Sequence, residues 1–219
     1  MKLVKLSVAA FVVAGLASGS FAADTLADAF KNGKVTGELR AWYFDRDTDD
    51  KNDGTLAKGD ADIFSTGVML SYITDSLYGL SLGTTFQGNY APFANSDAKN
   101  LYATDMYGSG AVLSEAYMTY TLGKTTAKVG RQFLASPLVN SSGSRMIKEA
   151  FQATVLINTD IPNTTLVAGY SDKFQGRTSD YDRSVDGSDS QMPSFKKEAV
   201  FYGAGTSRGS LGLSAIRKN

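Results

Sequence analysis

The sequence predicts an all-β protein, an antiparallel β-barrel that crosses a membrane. Three observations carry this expectation. From Val35 onward, segment after segment alternates with period two, as strands do when one face meets an apolar phase. The connections between these segments are long and tight in turn, four times over. Gly (22), Tyr (11) and Phe (12) are plentiful and Pro (4) is scarce, a composition that favours strands and turns over a helix bundle.

The 219 residues divide into three parts. Residues 1–22 read as a secretory signal peptide. Lys2 and Lys5 make a positive start, and residues 6–17 are apolar but too short for a bilayer span of ~20 residues. Ser20-Phe21-Ala22 then supplies the small residues of a cleavage site. Cleavage after Ala22, or alternatively after Ala23, leaves 20 basic and 22 acidic residues, a charge of −2. Residues 23–34 form a short periplasmic segment, helix-compatible over 24–34, with Leu26, Ala29 and Phe30 on one side. Residues 35–219 carry the strands.

The first strand, 35–44, turns Val35, Gly37, Leu39, Ala41 and Tyr43 one way and Thr36, Glu38, Arg40, Trp42 and Phe44 the other. Strands at 64–72 and 80–90 place Val68, Leu70, Leu80, Leu82 and Phe86 on an apolar phase. A strand at 115–122 sets Ala116, Met118, Tyr120 and Leu122 against Glu115, Tyr117, Thr119 and Thr121. Residues 125–130 alternate Ala127 and Val129 with Lys128, and residues 151–158 alternate Phe151, Ala153, Val155 and Ile157 with Gln152, Thr154 and Asn158. Residues 165–171 follow with Leu166, Ala168 and Tyr170. Two weaker segments, 199–206 and 210–216, complete the set.

The long connections are residues 45–62, 91–112, 134–148 and 172–197; the tight ones are 74–78, 123–124, 161–163 and 207–209. A soluble sandwich has no reason to keep its short turns at one end. A transmembrane barrel has short turns on the periplasmic side and long loops outside, and its strands of ~9–11 residues cross an apolar band of ~25 Å. Tyr43, Tyr72, Tyr90, Tyr120 and Tyr170 fall on the outward phase near strand ends, where interface girdles sit. The competing expectation is a periplasmic or secreted sandwich with those tyrosines in its core.

Composition removes most chemistry. Cys and His are both zero, which excludes Cys/His zinc sites, disulfides, Cys nucleophiles and Ser-His-Asp triads. Lys+Arg and Asp+Glu are 22 each, so no basic excess points to nucleic acid. Residues 45–54 resemble a calcium loop only loosely: counted from Asp49, Lys51 stands where a ligand belongs, and counted from Asp45, Asp50 stands where Gly belongs. Gly203-Ala204-Gly205 lacks the rest of a phosphate loop, and Asn163-Thr164-Thr165 fits a glycosylation sequon that a tight turn does not need. No catalytic, metal or cofactor site is expected. Glu38, Arg40, Glu115 and Lys128 share the phase opposite the apolar one, as fixed charges that select permeants in a lumen would.

Several runs together resemble the OprD-type outer-membrane porins. They are Gly33-Lys34-Val35-Thr36-Gly37-Glu38-Leu39-Arg40-Ala41-Trp42-Tyr43-Phe44; Lys128-Val129-Gly130-Arg131-Gln132 leading to Pro137; Ser144-Arg145-Met146; Glu149-Ala150-Phe151-Gln152; and the Thr159-Asp160-Ile161-Pro162-Asn163-Thr164 turn. The resemblance covers the chain after its signal segment. It implies a porin of 16–18 strands that admits small polar or anionic solutes past an inward-folded third loop. By position it implies Arg40, Lys128 and Arg131 as wall residues and Arg145 and Lys148 as third-loop residues. Arg131 shares parity with Ala127 and Val129, so it needs either a bulge or a place above the membrane. The porins it resembles are about twice as long, so the expectation is the N-terminal half of a barrel, about nine strands, in a fragment or truncated gene product. The expected function is passive diffusion, with outer-membrane lipid and small hydrophilic solutes as partners. The outward Leu, Val and Phe suit lipid or a neighbouring barrel, which leaves a homotrimer open for the full-length protein. The rivals are a small barrel or sandwich whose long loops bind a partner, and a complete barrel of eight strands.

Overall fold

Period-two alternation becomes one antiparallel sheet in the computed structural model, which describes residues 23–46, 61–102, 110–136, 139–177, 193–197 and 210–217. The elements are α1 (Leu26–Lys31), β1 (Lys34–Arg46), β2 (Ala61–Ile73), β3 (Leu80–Tyr90), α2 (Ser96–Tyr102), β4 (Gly110–Leu122), β5 (Thr125–Gln132), β6 (Ala150–Asn158), β7 (Thr164–Gln175), β8 (Phe195–Lys197) and β9 (Ser210–Arg217). Each strand from β1 to β8 pairs antiparallel with its neighbour in sequence. β8 pairs with 173–175 of β7 and β9 with 164–171, so the two lie end to end along one edge of β7. Among the described residues β1 pairs only with β2.

One face of this sheet is a continuous apolar surface. Leu39, Val68, Leu82, Met118, Leu156 and Tyr170 are all exposed on it, and Leu39 keeps 86% of its surface. A water-soluble protein rarely leaves so large an apolar area uncovered, whereas hydrocarbon favours it. Tyr43, Tyr90 and Tyr120 are exposed on the same face, so the sandwich with tyrosines in its core does not hold. Tyr72 is half covered by α1.

The strands outrun the alternation that announces them. The β1–β2 ladder continues to Asp45↔Asp62 and Arg46↔Ala61. Backbone pairing needs no apolar side chains, so it persists where the side chains turn polar. β4 begins at Gly110 rather than near Glu115 because a bulge interrupts its parity: Thr85 pairs with Glu115 and Phe86 with Leu113. Ser114 is the extra residue, and both Ser114 and Glu115 are buried.

Two further expectations change. The long connection 91–112 holds a helix that its reading as a connection did not include: α2 forms within it, capped by the Asn95 side chain, which accepts from the Ala98 N–H at 2.8 Å. In β6 the apolar phase does not join the outer face. Phe151, Ala153 and Val155 are buried on the other side, and Thr154 and Leu156 are the exposed residues. The signal segment 1–22, the calcium-like stretch beyond Arg46, the 199–206 strand and Gly203-Ala204-Gly205 lie outside the described residues.

Gly130 sits inside β5 with φ +123°, and a Cβ there would lie 2.3 Å from the Ala116 carbonyl oxygen. Gly130→Ala therefore lowers the urea midpoint of the folded protein, by at least ~1 kcal/mol in stability. Gly143→Ala, whose Cβ would meet only the Lys148 side chain at 3.9 Å, leaves that midpoint in place.

Candidate functional site

The face opposite the apolar one carries Glu38, Arg40, Trp42 and Phe44 on β1, Thr85 and Gln87 on β3, Ser114, Glu115 and Tyr117 on β4, and Lys128 and Gln132 on β5. Two connections fold back over it. Around α2, Ala91, Ala98, Leu101 and Tyr102 form a buried cluster with Ile63 of β2 and Met146, against Trp42 and Phe44. The Tyr102 hydroxyl donates to the Ala61 carbonyl at 3.0 Å. In the third long connection, Leu134 and Val139 cover the buried Phe151, Ala153, Val155 and Phe174. That cover explains the inward apolar phase of β6: a loop returning over an otherwise polar face needs a dry surface to rest on.

The third loop closes on itself first. Ser141 N–H donates to the Leu134 carbonyl and its hydroxyl accepts from the Leu134 N–H. Glu149 N–H donates to the Ser142 carbonyl, and the Glu149 carboxylate accepts from the Ser142 N–H at 2.9 Å. Arg177 then donates to the Ser142 and Ser144 hydroxyls at 2.6 and 2.7 Å, with its Nε 3.8 Å from the Glu149 carboxylate.

The sheet grips this loop at two points. Arg40 is held by Glu38, donating from Nε at 2.7 Å and Nη2 at 3.2 Å. Its Nη1 is then aimed at the loop and donates to the Arg145 and Met146 carbonyls at 2.8 and 3.1 Å. The second grip is amide-based. Gln87 Nε2 donates to the Lys148 carbonyl at 3.0 Å, while Gln87 Oε1 accepts from the Lys148 N–H at 2.8 Å. Gln87 Nε2 also donates to Ser114 Oγ, which donates to Gln175 Oε1 at 2.7 Å. Gln175 Nε2 completes the ring to the Lys148 carbonyl at 3.1 Å. Gln87, Ser114 and Gln175 are buried, so each bond replaces water in a place where an unmade bond is costly.

The charges gather around these grips. Glu115 accepts from Thr85 Oγ1 at 2.5 Å and from the Phe133 N–H at 2.8 Å, and lies 3.8 Å from Lys128 Nζ. Lys128 Nζ also stands 3.6 Å over the Tyr117 ring, and Lys148 Nζ stands 4.4 Å over the Phe133 ring. Burial lowers the pKa of Lys148 below the usual lysine range; Glu115 and Glu38 act against this and Arg40 adds to it.

Of the residues expected here, Glu38, Arg40, Glu115, Lys128, Arg145 and Lys148 all meet the loop or its immediate surroundings. Arg131 does not join them. The pairing of β5 with β4 and β6 runs through it without a bulge, so it keeps the parity of Val129. It donates to the Leu113 carbonyl at 3.3 Å and stacks on the Phe195 ring at 4.5 Å. Sequence reading missed Gln87, Ser114, Gln175, Glu149 and Arg177, because Gln and Ser on a polar strand face carry no mark of a distant partner. It also missed α2, although Ala98, Leu101 and Tyr102 have helical spacing. Among the described residues no group of acidic side chains gathers as a metal site.

A family model for the Campylobacter major outer membrane protein matches residues 1–211. No curated protein matches the chain. Among solved structures it is similar to Acinetobacter baumannii OccAB1, with 18% identity, a TM-score of 0.62, and coverage of 87% of this chain and 42% of that one. It is similar to OccAB3 of the same organism, with 16% identity, a TM-score of 0.63, and coverage of 86% and 47%. Pseudomonas aeruginosa OpdK, solved with vanillate, gives 15% identity, a TM-score of 0.60, and coverage of 87% and 46%. The chain thus spans less than half the length of these structures, and at such identities the likeness speaks for the fold.

Gln87→Leu removes the acceptor of the Lys148 N–H and one of the two donors to its carbonyl, leaving Gln175 on the carbonyl. Amide hydrogen exchange of residues 145–149 is then expected to quicken about ten- to hundredfold, the equivalent of losing ~1–3 kcal/mol of local protection. Exchange at wild-type rates would show that the loop is held by other means.

Proposed function

Since the chain belongs to the Campylobacter major outer membrane protein family, we propose that it builds one wall of a diffusion channel for small polar or anionic solutes. Membership places it in the bacterial outer membrane, and its fold is that of the OprD/Occ β-barrels. The observation that carries the channel reading is the third loop, laid across the inner face and gripped by Arg40 and Gln87. Such a loop narrows a lumen without closing it through chemistry.

Selectivity follows from what the grips leave charged. Arg40 pairs with Glu38, Lys128 with Glu115 and Arg177 with Glu149, while the loop adds Arg145 and Lys148, so cations outnumber carboxylates in this group. The carboxylates do more than neutralise. Glu38 aims the Arg40 guanidinium, and Glu115 ties the Phe133 N–H to the wall. A solute moving down its gradient then exchanges part of its hydration for fixed donors, and an anion finds more of them than a cation. No energy source and no cofactor enter this scheme.

Planar-bilayer recordings of the protein test the reading. Arg40→Ala is expected to lower the anion-over-cation permeability ratio about two- to fivefold, as for one partly screened charge. It is also expected to raise single-channel current and noise, because the loop loses its donors. Arg40→Lys keeps the charge but not the fork that spans Glu38 and two carbonyls, so the ratio stays and the noise still rises. Absence of any channel, or an unchanged reversal potential in Arg40→Ala, overturns the assignment.

A further inference from the structure

At the tight-turn end of the sheet, helix α1 is fixed to the wall by its backbone rather than by its apolar side chains. The Ala23 N–H donates to the Ser76 carbonyl at 2.8 Å, the Asp75 N–H donates to the Ala29 carbonyl at 2.9 Å, and the Tyr72 hydroxyl donates to the Phe30 carbonyl at 2.5 Å. Thr25 caps the helix through the Asp28 N–H. Of its four apolar residues, Leu26, Ala27, Ala29 and Phe30, only Ala29 is buried. Leu26 remains 62% exposed and Phe30 48%.

A helix of this length is not stable alone, and here its anchorage leaves most of the Leu26 surface uncovered. Phe30 is covered only in part: its ring stacks nearly parallel on Tyr72, 6.5 Å between centroids. Tyr72 belongs to the outward phase of β2, so this stack makes α1 continuous with the apolar face of the sheet. Val35, at the foot of β1, and Tyr78, in the adjoining turn and 79% exposed, extend the same surface. Gly33 permits the close approach, since a Cβ there would fall within the Tyr72 ring. Lys31, at the helix end, and Asp24, ahead of its cap, are exposed.

We propose that α1 is a membrane-surface element that seats Leu26 and Phe30 in the headgroup–acyl boundary of the phospholipid leaflet on the tight-turn side. That side is the periplasmic one in outer-membrane barrels. Short amphipathic helices bind there with the apolar residues down and the charged ends towards water. The backbone bonds to the β2–β3 turn set the depth, and the exposed side chains supply the lipid contact. This assignment rests on the outer-membrane location and is independent of whether the barrel conducts.

The sequence contains no cysteine, which suits site-directed spin labelling. Leu26→Cys, Phe30→Cys, Lys31→Cys and the outward strand control Leu39→Cys are labelled in protein reconstituted into phosphatidylethanolamine–phosphatidylcholine vesicles, with the unsubstituted parent as background. Power saturation with oxygen and with a water-soluble nickel chelate then reads depth. Labels at 26 and 30 are expected to lie between the Lys31 and Leu39 values, favouring oxygen over nickel. Nickel access equal to that at Lys31 overturns the proposal. So does protection from both reagents with a broadened spectrum, which would mean that a protein surface, such as a second copy of the chain, covers the patch. Leu26→Cys alone decides if Phe30→Cys fails to fold, and heat-modifiable gel mobility reports folding for each variant.

Discussion

A peptide group left unpaired in hydrocarbon costs several kcal/mol by the usual scales, and every other feature of this chain is arranged around that constraint. Strands cross the apolar phase because their ladders satisfy the backbone. The ladder imposes a side-chain period of two. One phase is surrendered to lipid, as the exposed Leu39, Val68 and Leu82 show, and whatever the protein does must be built on the other. The constraint reaches even the irregular points. The bulge at Ser114 turns two consecutive polar residues to the inside, where Ser114 joins the amide ring and Glu115 takes the Phe133 N–H.

The inner face is neither a bare polar wall nor a solid core. Two returning loops bring their own apolar residues and need matching surfaces beneath them. Trp42, Phe44 and Ile63 serve the α2 connection, and Phe151, Val155 and Phe174 serve the third loop. Dispersion and desolvation hold these footings without direction, so the exact course of the loop falls to hydrogen bonds. Arg40 and Gln87 reach loop backbone rather than loop side chains. Such contacts fix where the chain runs and leave its side chains free to vary. Arg40 is a clamp through Nη1, and in the proposed channel it has a second role as a fixed charge in the lumen. Its pairing with Glu38 orients the first role while tempering the second.

At the opposite end, α1 shows the same economy in reverse. Its backbone is satisfied by the β2–β3 turn, and its larger side chains point to the surroundings. Phe30 and Tyr72 form the seam between helix and sheet. The aromatic residues near strand ends, Tyr43, Tyr90, Tyr120 and Tyr170, are exposed around the sheet in keeping with an interface belt.

The alternation of residues 35–44, 64–72 and 80–90 and the rhythm of long and tight connections were sufficient to read a membrane barrel, because lipid and turn geometry act on each strand locally. The charged phase of Glu38, Arg40, Glu115 and Lys128 was legible for the same reason. What stayed hidden depends on pairs far apart in sequence. Gln87, Ser114 and Gln175 meet at Lys148 only because the strands are staggered and a bulge resets β4. Arg131 carried a local contradiction of phase, and only the uninterrupted pairing of β5 showed which way it turns. β6 marks the limit most plainly. Its alternation was visible in the sequence, but both phases were partly apolar. The sequence by itself determined that β6 is a strand with two unlike faces; only the tertiary structure decided that Phe151, Ala153 and Val155 turn inward, because Leu134 and Val139 from the folded-back third loop cover them there.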